Sequence, residues 1–328
     1  MALKSGLGAQ VGIGTQVAYP TRVVPTTFVP FENESLALSK EYIRYQGLTA
    51  NRMFQRQDLH VATTRAAGGS LTIPLSYKDM GKFFNLLHGN TVTPVQQAAT
   101  TAYLQTHNIG TSPPDGKYAT VQVGRPDTGV ATRVFDYVGC KATGWTISLD
   151  AGGIATYSTE LDARDETTSE TLAAATYSAG SIPFNFTQGV AKSAGTSIGN
   201  VRSVTISGSN GMDTSRYHLG NTGLKDEPIV NAFSECTASC TLEFASLADH
   251  ARFKDETVAA FALELTGPII ATTYAYWCKI TFAASKQTSF GAAVAGPDIL
   301  TADATFEAID DGTNPPVVVS YQSTAVSI

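Results

Sequence analysis

The feature that most restricts this 328-residue chain is repetition: its two halves carry similar short phrases in the same order. Ser70–Leu75 (SLTIPL) leads into a helix-patterned segment at Tyr77, and 169 residues later Ser239–Phe244 (SCTLEF) leads into another at Ser246. That spacing carries Ile73 onto Leu242, Leu75 onto Phe244 and Phe84 onto Phe253. Cys140–Thr143 (CKAT) answers Cys278–Thr281 (CKIT) at a spacing of 138, and Glu160–Asp165 (ELDARD) answers Thr305–Asp310 (TFEAID) at 145. Self-similarity of this kind marks a repeated structural unit. Unequal spacings mean unequal loops. The segment 90–130 outruns its counterpart, and the Gly/Ala/Pro-rich stretch Phe290–Pro297 lengthens a later loop.

The repeated phrases also share a facing. Ile73, Leu75, Leu161, Leu242, Phe244 and Phe306 alternate with Thr72, Glu160, Asp162, Thr241, Glu243, Thr305 and Glu307. A period of two with one apolar side belongs to antiparallel strands whose sheet is wet on one face. Val201–Gly208 (VRSVTISG), Gly144–Asp150 (GWTISLD) and Val317–Tyr321 (VVVSY) are further strands. Helical pattern is sparse. In Tyr77–His88 the residues Met80, Phe83, Phe84 and Leu87 fall on one helix face. Ser246–Glu256 reads as a second helix, N-capped by Ser246 ahead of Leu247, Ala251 and Phe253. Glu166–Ala175 reads as a third helix or as a linker. The expected organisation is mainly β: an N-terminal arm over 1–25, a first domain over 26–168 containing a long insertion or loop at 90–130, a linker over 169–200, and a second domain over 201–328.

Charged residues make up only 15% of the chain and the net charge is -6. An average soluble protein has about 25% charged residues, and a chain that grips nucleic acid carries excess Lys and Arg to neutralise phosphates. Residues 1–20 lack the basic start and apolar run of a signal peptide. No stretch approaches the roughly 18 apolar residues of a membrane span. The expectation is folding in a cytoplasm, without membrane contact, with four reduced and mostly buried cysteines.

Several motifs point to chemistry and are outweighed. Gly195–Gly199 (GTSIG) matches the serine-hydrolase elbow, with Ser197 as nucleophile and Asp213 and His218 or His250 as partners. It lacks the strand before and the helix after that such an elbow needs, and reads as a turn. Gly6-x-Gly8 has no preceding strand to build a dinucleotide turn. Cys236 and Cys240, with His250 alone nearby, are too few for zinc and read as core thiols. The acidic pairs Asp165/Glu166 and Asp310/Asp311 read as solvated strand ends rather than calcium or glycosidase carboxylates. Trp145 and Trp277 read as core or interface anchors. No metal, cofactor or catalytic group is expected.

Phrases spread over nearly the whole chain resemble the major tail-tube protein family of long-tailed, siphovirus-type bacteriophages. The family opens on G-x-G-x-x-x-x-Y-x-T, here Gly12, Gly14, Tyr19 and Thr21. Phe31–Leu36 (FENESL) follows, then a basic extended stretch, then GSLTIPL. The middle phrase is close to Gly139–Gly153 (GCKATGWTISLDAGG), and the closing ones to Gly296–Thr301 (GPDILT) and Phe306–Gly312 (FEAIDDG). The segment 90–130 has no place in the pattern. The resemblance implies a β-sandwich with a short flanking helix, whose strands join those of neighbours into a barrel around a DNA conduit. Most such rings hold six single-copy subunits. Two copies per chain favour a trimer with pseudo-sixfold symmetry over a hexamer.

On that reading the polar face lines the bore, with Glu160, Asp162, Glu243 and Glu307 as lumen-facing candidates. The arginines Arg44, Arg52, Arg56 and Arg65 of the basic stretch 40–69 are candidates for contacts between stacked rings. Partners would be further copies of the chain, a tape-measure protein and tail-tip or terminator proteins. DNA would pass without specific binding, in a virion tail assembled in the host cytoplasm. Two rival readings are a non-polymerising adhesin or carbohydrate-binding sandwich on the virion surface, and a serine hydrolase using Ser197.

Overall fold

A computed structural model describes residues 5–48, 50–128, 131–245, 247–294 and 296–328. Fourteen of its strands organise the fold: β1 Gln10–Thr15, β2 Ala37–Arg44, β3 His60–Pro74, β4 Tyr103–Ile109, β5 Ala119–Pro126, β6 Thr132–Asp150, β7 Thr156–Ala163, β8 Gly189–Ser193, β9 Val201–Ser209, β10 Glu235–Glu243, β11 Val258–Ala271, β12 Tyr274–Ala292, β13 Thr301–Ile309 and β14 Val317–Ser323. Two short helices, α1 Gly81–Asn85 and α2 Ala248–Lys254, follow β3 and β10. All pairings are antiparallel. The protein is mainly β and sandwich-like, as the alternation predicts.

One sheet runs through the whole chain in the order β2-β3-β7-β6-β9-β10-β13-β12. Its buried face carries Leu71, Ile73, Tyr157, Leu161, Trp145, Ile147, Val204, Ile206, Leu242 and Phe306, and its other face is polar. Two smaller layers cover the apolar face. The first is Thr27–Val29, β1, β5, the start of β6 and Asp165–Thr167. The second is β8, β11, the start of β12, β14 and β4. Strands β6 and β12 are each 19 residues long and bend from one layer into the other. Among the described residues the pairing order does not return on itself, so no barrel closes within one chain.

The structure departs from the sequence reading at several places. Gln10–Thr15 is not part of a free arm: Val11 and Ile13 are fully buried and the strand pairs on both sides. The described part of the segment 90–130, residues 90–128, is not one long loop. It supplies β4 to the second covering layer and β5 to the first, and alternation hides there among polar core residues such as Gln105, His107 and Gln122. The linker range 169–200 contains β8, and Glu166–Ala175 holds a short strand end and irregular chain rather than a helix. The first helix spans five residues instead of twelve, although Met80, Phe83, Phe84 and Leu87 are all buried as its apolar spacing requires. The proposed cap Ser246 lies outside the described residues. Helix α2 begins at Ala248, and none of its residues is fully buried.

Gly69 sits where β3 leaves the sheet as a projecting hairpin with β2. Its φ of 150° suits only glycine, and a Cβ there would stand 2.4 Å from the Ser35 carbonyl oxygen. The four cysteines are buried free thiols. Desolvation pushes Cys140, Cys240 and Cys278 up to about 12, which keeps them protonated and unreactive.

Candidate functional site

Three features of the long sheet offer contact surfaces: its polar face, its two end strands and the β2–β3 hairpin. The polar face is built by alternation, and many of its positions carry hydroxyls. These hydroxyls pair across strands: Thr72 with Ser158 at 3.1 Å, Ser148 with Thr156 at 2.7 Å, and Thr146 Oγ1 donates to Ser207 Oγ at 3.3 Å. The result is a concave floor lined by Ser70, Thr143, Ser158, Glu160, Ser207 and Thr237.

The four acidic candidates occupy different environments. Glu160 and Glu307 are exposed. Glu243 is neutralised by Arg202 Nη2 at 2.7 Å. Asp162 is drawn into an ion pair with buried Lys225, from the segment that connects β9 and β10. Burial pushes the Asp162 carboxyl up, against the opposing pull of Lys225. The same segment places Glu227 Oε1 2.6 Å from buried Lys141. Asp303, which the sequence reading missed, is a further exposed acid on this face and accepts from Thr241 Oγ1 at 2.7 Å.

The hairpin projects from the sheet with little of it buried. Arg44 and Arg52 are exposed; Arg56 is paired with Asp58, and Arg65 Nη2 meets Asp165 Oδ2 at 2.6 Å inside the subunit. Sequence reasoning picked out these charges but not the apolar tip. Leu48, Met53 and Phe54 stand 104%, 98% and 89% exposed, and Tyr45 lies beside them at 67%. Large apolar side chains left exposed on one projecting hairpin are a candidate contact surface.

The family model for phage tail tube proteins matches residues 6–308. This chain belongs to the phage tail tube protein family. No curated protein matches it. Membership makes the chain a structural component of the virion tail, one that assembles with copies of itself and with other tail proteins.

In this tail tube protein the motifs set aside from sequence have plain structural uses. Ala194 and Gly195, with φ of 52° and 77°, form the tight turn from β8 into Thr196–Ser197. His218 Nδ1 meets Asp226 at 2.7 Å and His250 packs edge-on to Phe290. Gly6–Gly8 is a 3₁₀ turn capped by the Ser5 side chain. Asp311 accepts from the backbone N–H groups of Thr313 and Asn314, and these bonds, led by that from the Asn314 side chain, hold its carboxyl below the usual range.

Proposed function

We propose that this chain is the major tail-tube subunit of a long-tailed, siphovirus-type phage, polymerising into stacked rings of three chains that enclose the DNA conduit. The observation that carries this reading is the eight-stranded sheet with one hydroxyl-rich face and an open strand at each end. Open edges invite pairing with another chain, and closing several subunits into one barrel removes them.

Duplication of the fold is supported by the ladders. Ser70 pairs with Glu160, and their counterparts at spacings of 169 and 145, Ser239 and Thr305, also pair. Gly144 pairs with Glu160, as Ser289 pairs with Thr305. Even the irregularities correspond. Thr143 is left out of the first ladder and Thr288 of the second, each donating its hydroxyl to the carbonyl of the facing strand (Glu160 at 3.3 Å, Thr305 at 3.5 Å). A second bulge falls between Ala119 and Val121 and recurs between Ala259 and Phe261. In this scheme the partner of Cys140 is Ser285 rather than Cys278, and that of Lys141 is Lys286. Each unit then supplies four strands to the common sheet, and three chains supply six units.

The polar face lines the bore. Glu160 and Glu307, joined by Asp303, keep the wall non-adhesive, because carboxylates repel phosphates and offer no counterion-release attraction. Asp162 and Glu243 contribute less, each being balanced by a base. The hairpin bridges successive rings through its apolar tip, with Arg44 and Arg52 meeting acids of the next ring. Rings stacked head to tail extend as a filament, initiated on tail-tip proteins, measured by a tape-measure protein and assembled in the host cytoplasm.

Electron microscopy of the purified protein, alone and with tail initiators, tests the reading. Tubes of threefold symmetry are expected; a monodisperse monomer under all conditions would count against it. Glu160→Gln with Glu307→Gln should leave tubes intact and slow genome delivery.

A further inference from the structure

We infer that the junction between the two halves of the chain is the template, residue by residue, for the junction between neighbouring chains in a ring, and that the seam pairs Ala37 with Gly291 and Leu38 with Phe290 of the next copy. The inference rests on the tube reading above and adds a register to it.

Inside the chain, the end of β6 is paired with β9: Ser207 faces Thr146 and Gly208 faces Trp145. The counterpart of this stretch of β6 at a spacing of 145 is residues 289–294, and that of β9 is residues 34–39, at a spacing of 170, because Ala37 faces Gly68 as Ser207 faces Thr237, the counterpart of Gly68 at 169. Both are open. Beyond Lys286 the β11 side of β12 has no strand partner, and neither does the side of β2 away from β3, among the described residues. Carrying the internal register across gives Ala37 opposite Gly291, Leu38 opposite Phe290 and Ser39 opposite Ser289.

The side chains show which of the two junctions is filled. Trp145, Ile147 and Leu149 are buried beneath β9. Their counterparts Phe290, Ala292 and Val294 are half-exposed or exposed, Val294 at 82%. Within the chain the Trp145 indole lies over Gly208, where a Cβ would stand 2.4 Å from its ring nitrogen. At the seam the large-over-small pair becomes two middle-sized residues, Phe290 and Leu38. The helices follow the same rule. Phe84 of α1 packs against Tyr157 of its own half and against His107 and Tyr321 of the second covering layer. Its counterpart Phe253 on α2 is only half-buried, and neighbouring Leu247 is 68% exposed. One edge group is already engaged: the Leu36 carbonyl accepts from Arg125 Nη2 at 2.6 Å and Tyr137 Oη at 2.8 Å, and its N–H donates to Glu34. These bonds stand in for a strand partner in the free subunit, and the ladder replaces them.

The test is cysteine pairing in the full chain. Ala37→Cys with Gly291→Cys occupies the seam positions equivalent to Ser207 and Thr146; Ala37 is exposed and a Cβ on Gly291 meets nothing within 4 Å. The native cysteines are buried and do not compete. Mild oxidation of assembled protein should give a disulfide-linked ladder ending at three chains, while Ala37→Cys with Ala293→Cys, two residues out of register, should give none. Rings that form without the first disulfide, or with the second instead, overturn the register and leave the tube reading standing. A double variant and a parent that both remain monomeric and unlinked at high concentration count against the tube reading itself.

Discussion

Phe84 and Phe253 make a matched pair for separating fold stability from assembly. Phe84 has no exposed surface and contacts aromatic rings from both halves. Truncating a fully buried Phe to Ala costs about 3–5 kcal/mol, from lost transfer energy plus the cavity left behind. Phe253 is half-buried with little packed outside it, so Phe253→Ala forfeits about half of one side chain's transfer energy and leaves no closed cavity, about 1 kcal/mol. For a chain of this length the unfolding entropy is on the order of 0.7 kcal/mol/K, so each kcal/mol moves Tm by about 1.5 °C. Differential scanning calorimetry on the unassembled chain should show Phe84→Ala down by about 6 °C and Phe253→Ala by about 1.5 °C. Assembly should rank them the other way: folded Phe253→Ala should form rings poorly at concentrations where the parent forms them fully. Equal Tm losses, or normal rings from Phe253→Ala, would refute the claim that α2 awaits the cover α1 already has.

Three further outcomes follow from buried charge and backbone geometry. Desolvation holds the paired imidazoles of His88 and His107 near about 4 and about 3, so below pH 6.5 the unfolded chain takes up protons that the native state refuses; stability should be complete above neutrality and fall steadily toward pH 4, with His107→Gln flattening a Tm-versus-pH series. Lys225→Ala strands the Asp162 carboxylate and should cost about 3–5 kcal/mol in urea unfolding, whereas Lys225→Met with Asp162→Leu should recover most of that loss. Gly69→Val forces a branched side chain to a φ of 150° against the Ser35 carbonyl and should destabilise by about 1–3 kcal/mol, measured as a lower urea midpoint with unchanged slope.

What the sequence revealed and what it hid have separate physical causes. Strict alternation in segments such as Leu71–Leu75 and Val204–Ile206 reports a sheet wet on one side, because side-chain facing follows directly from strand geometry. Spacings of 169 and 145 agree with the ladders for the same reason: ladder register is fixed by that facing. On the proposed duplication, Cys140 facing Ala119 corresponds to Ser285 facing Ala259, and the shared phrase CK-x-T at a spacing of 138 then reflects local composition rather than equivalent positions. Strand β4 breaks the apolar alternation because its buried positions include Gln105 and His107, polar residues that bond to one another at 3.3 Å while His107 also meets His88 at 2.9 Å. The hairpin tip escaped because Leu48, Met53 and Phe54 look like core to any hydrophobicity reading. Exposure is a property of where the chain stops folding back on itself, which no local pattern encodes.

The asymmetry of the two junctions has a functional logic if duplication and ring closure hold. Three of six junctions are then internal to a chain and form once, during folding. They can bury large surfaces, and the inner one does so with Trp145 over Gly208 and with β4 laid across onto β14 of the other half. The three junctions between chains must stay soluble while open. Large apolar residues there would make a free subunit sticky at any encounter, a hazard for a sheet with two unpaired ends. Smaller residues such as Ala292 and a Leu36 carbonyl held by side chains reduce that hazard. It follows that Ala292→Ile, copying Ile147 onto the open edge, should tighten ring closure but also promote association away from tail initiators. Light scattering of the free chain would rise while the yield of correctly terminated tails falls. Tighter rings with no off-pathway association would show instead that the open edge is guarded elsewhere.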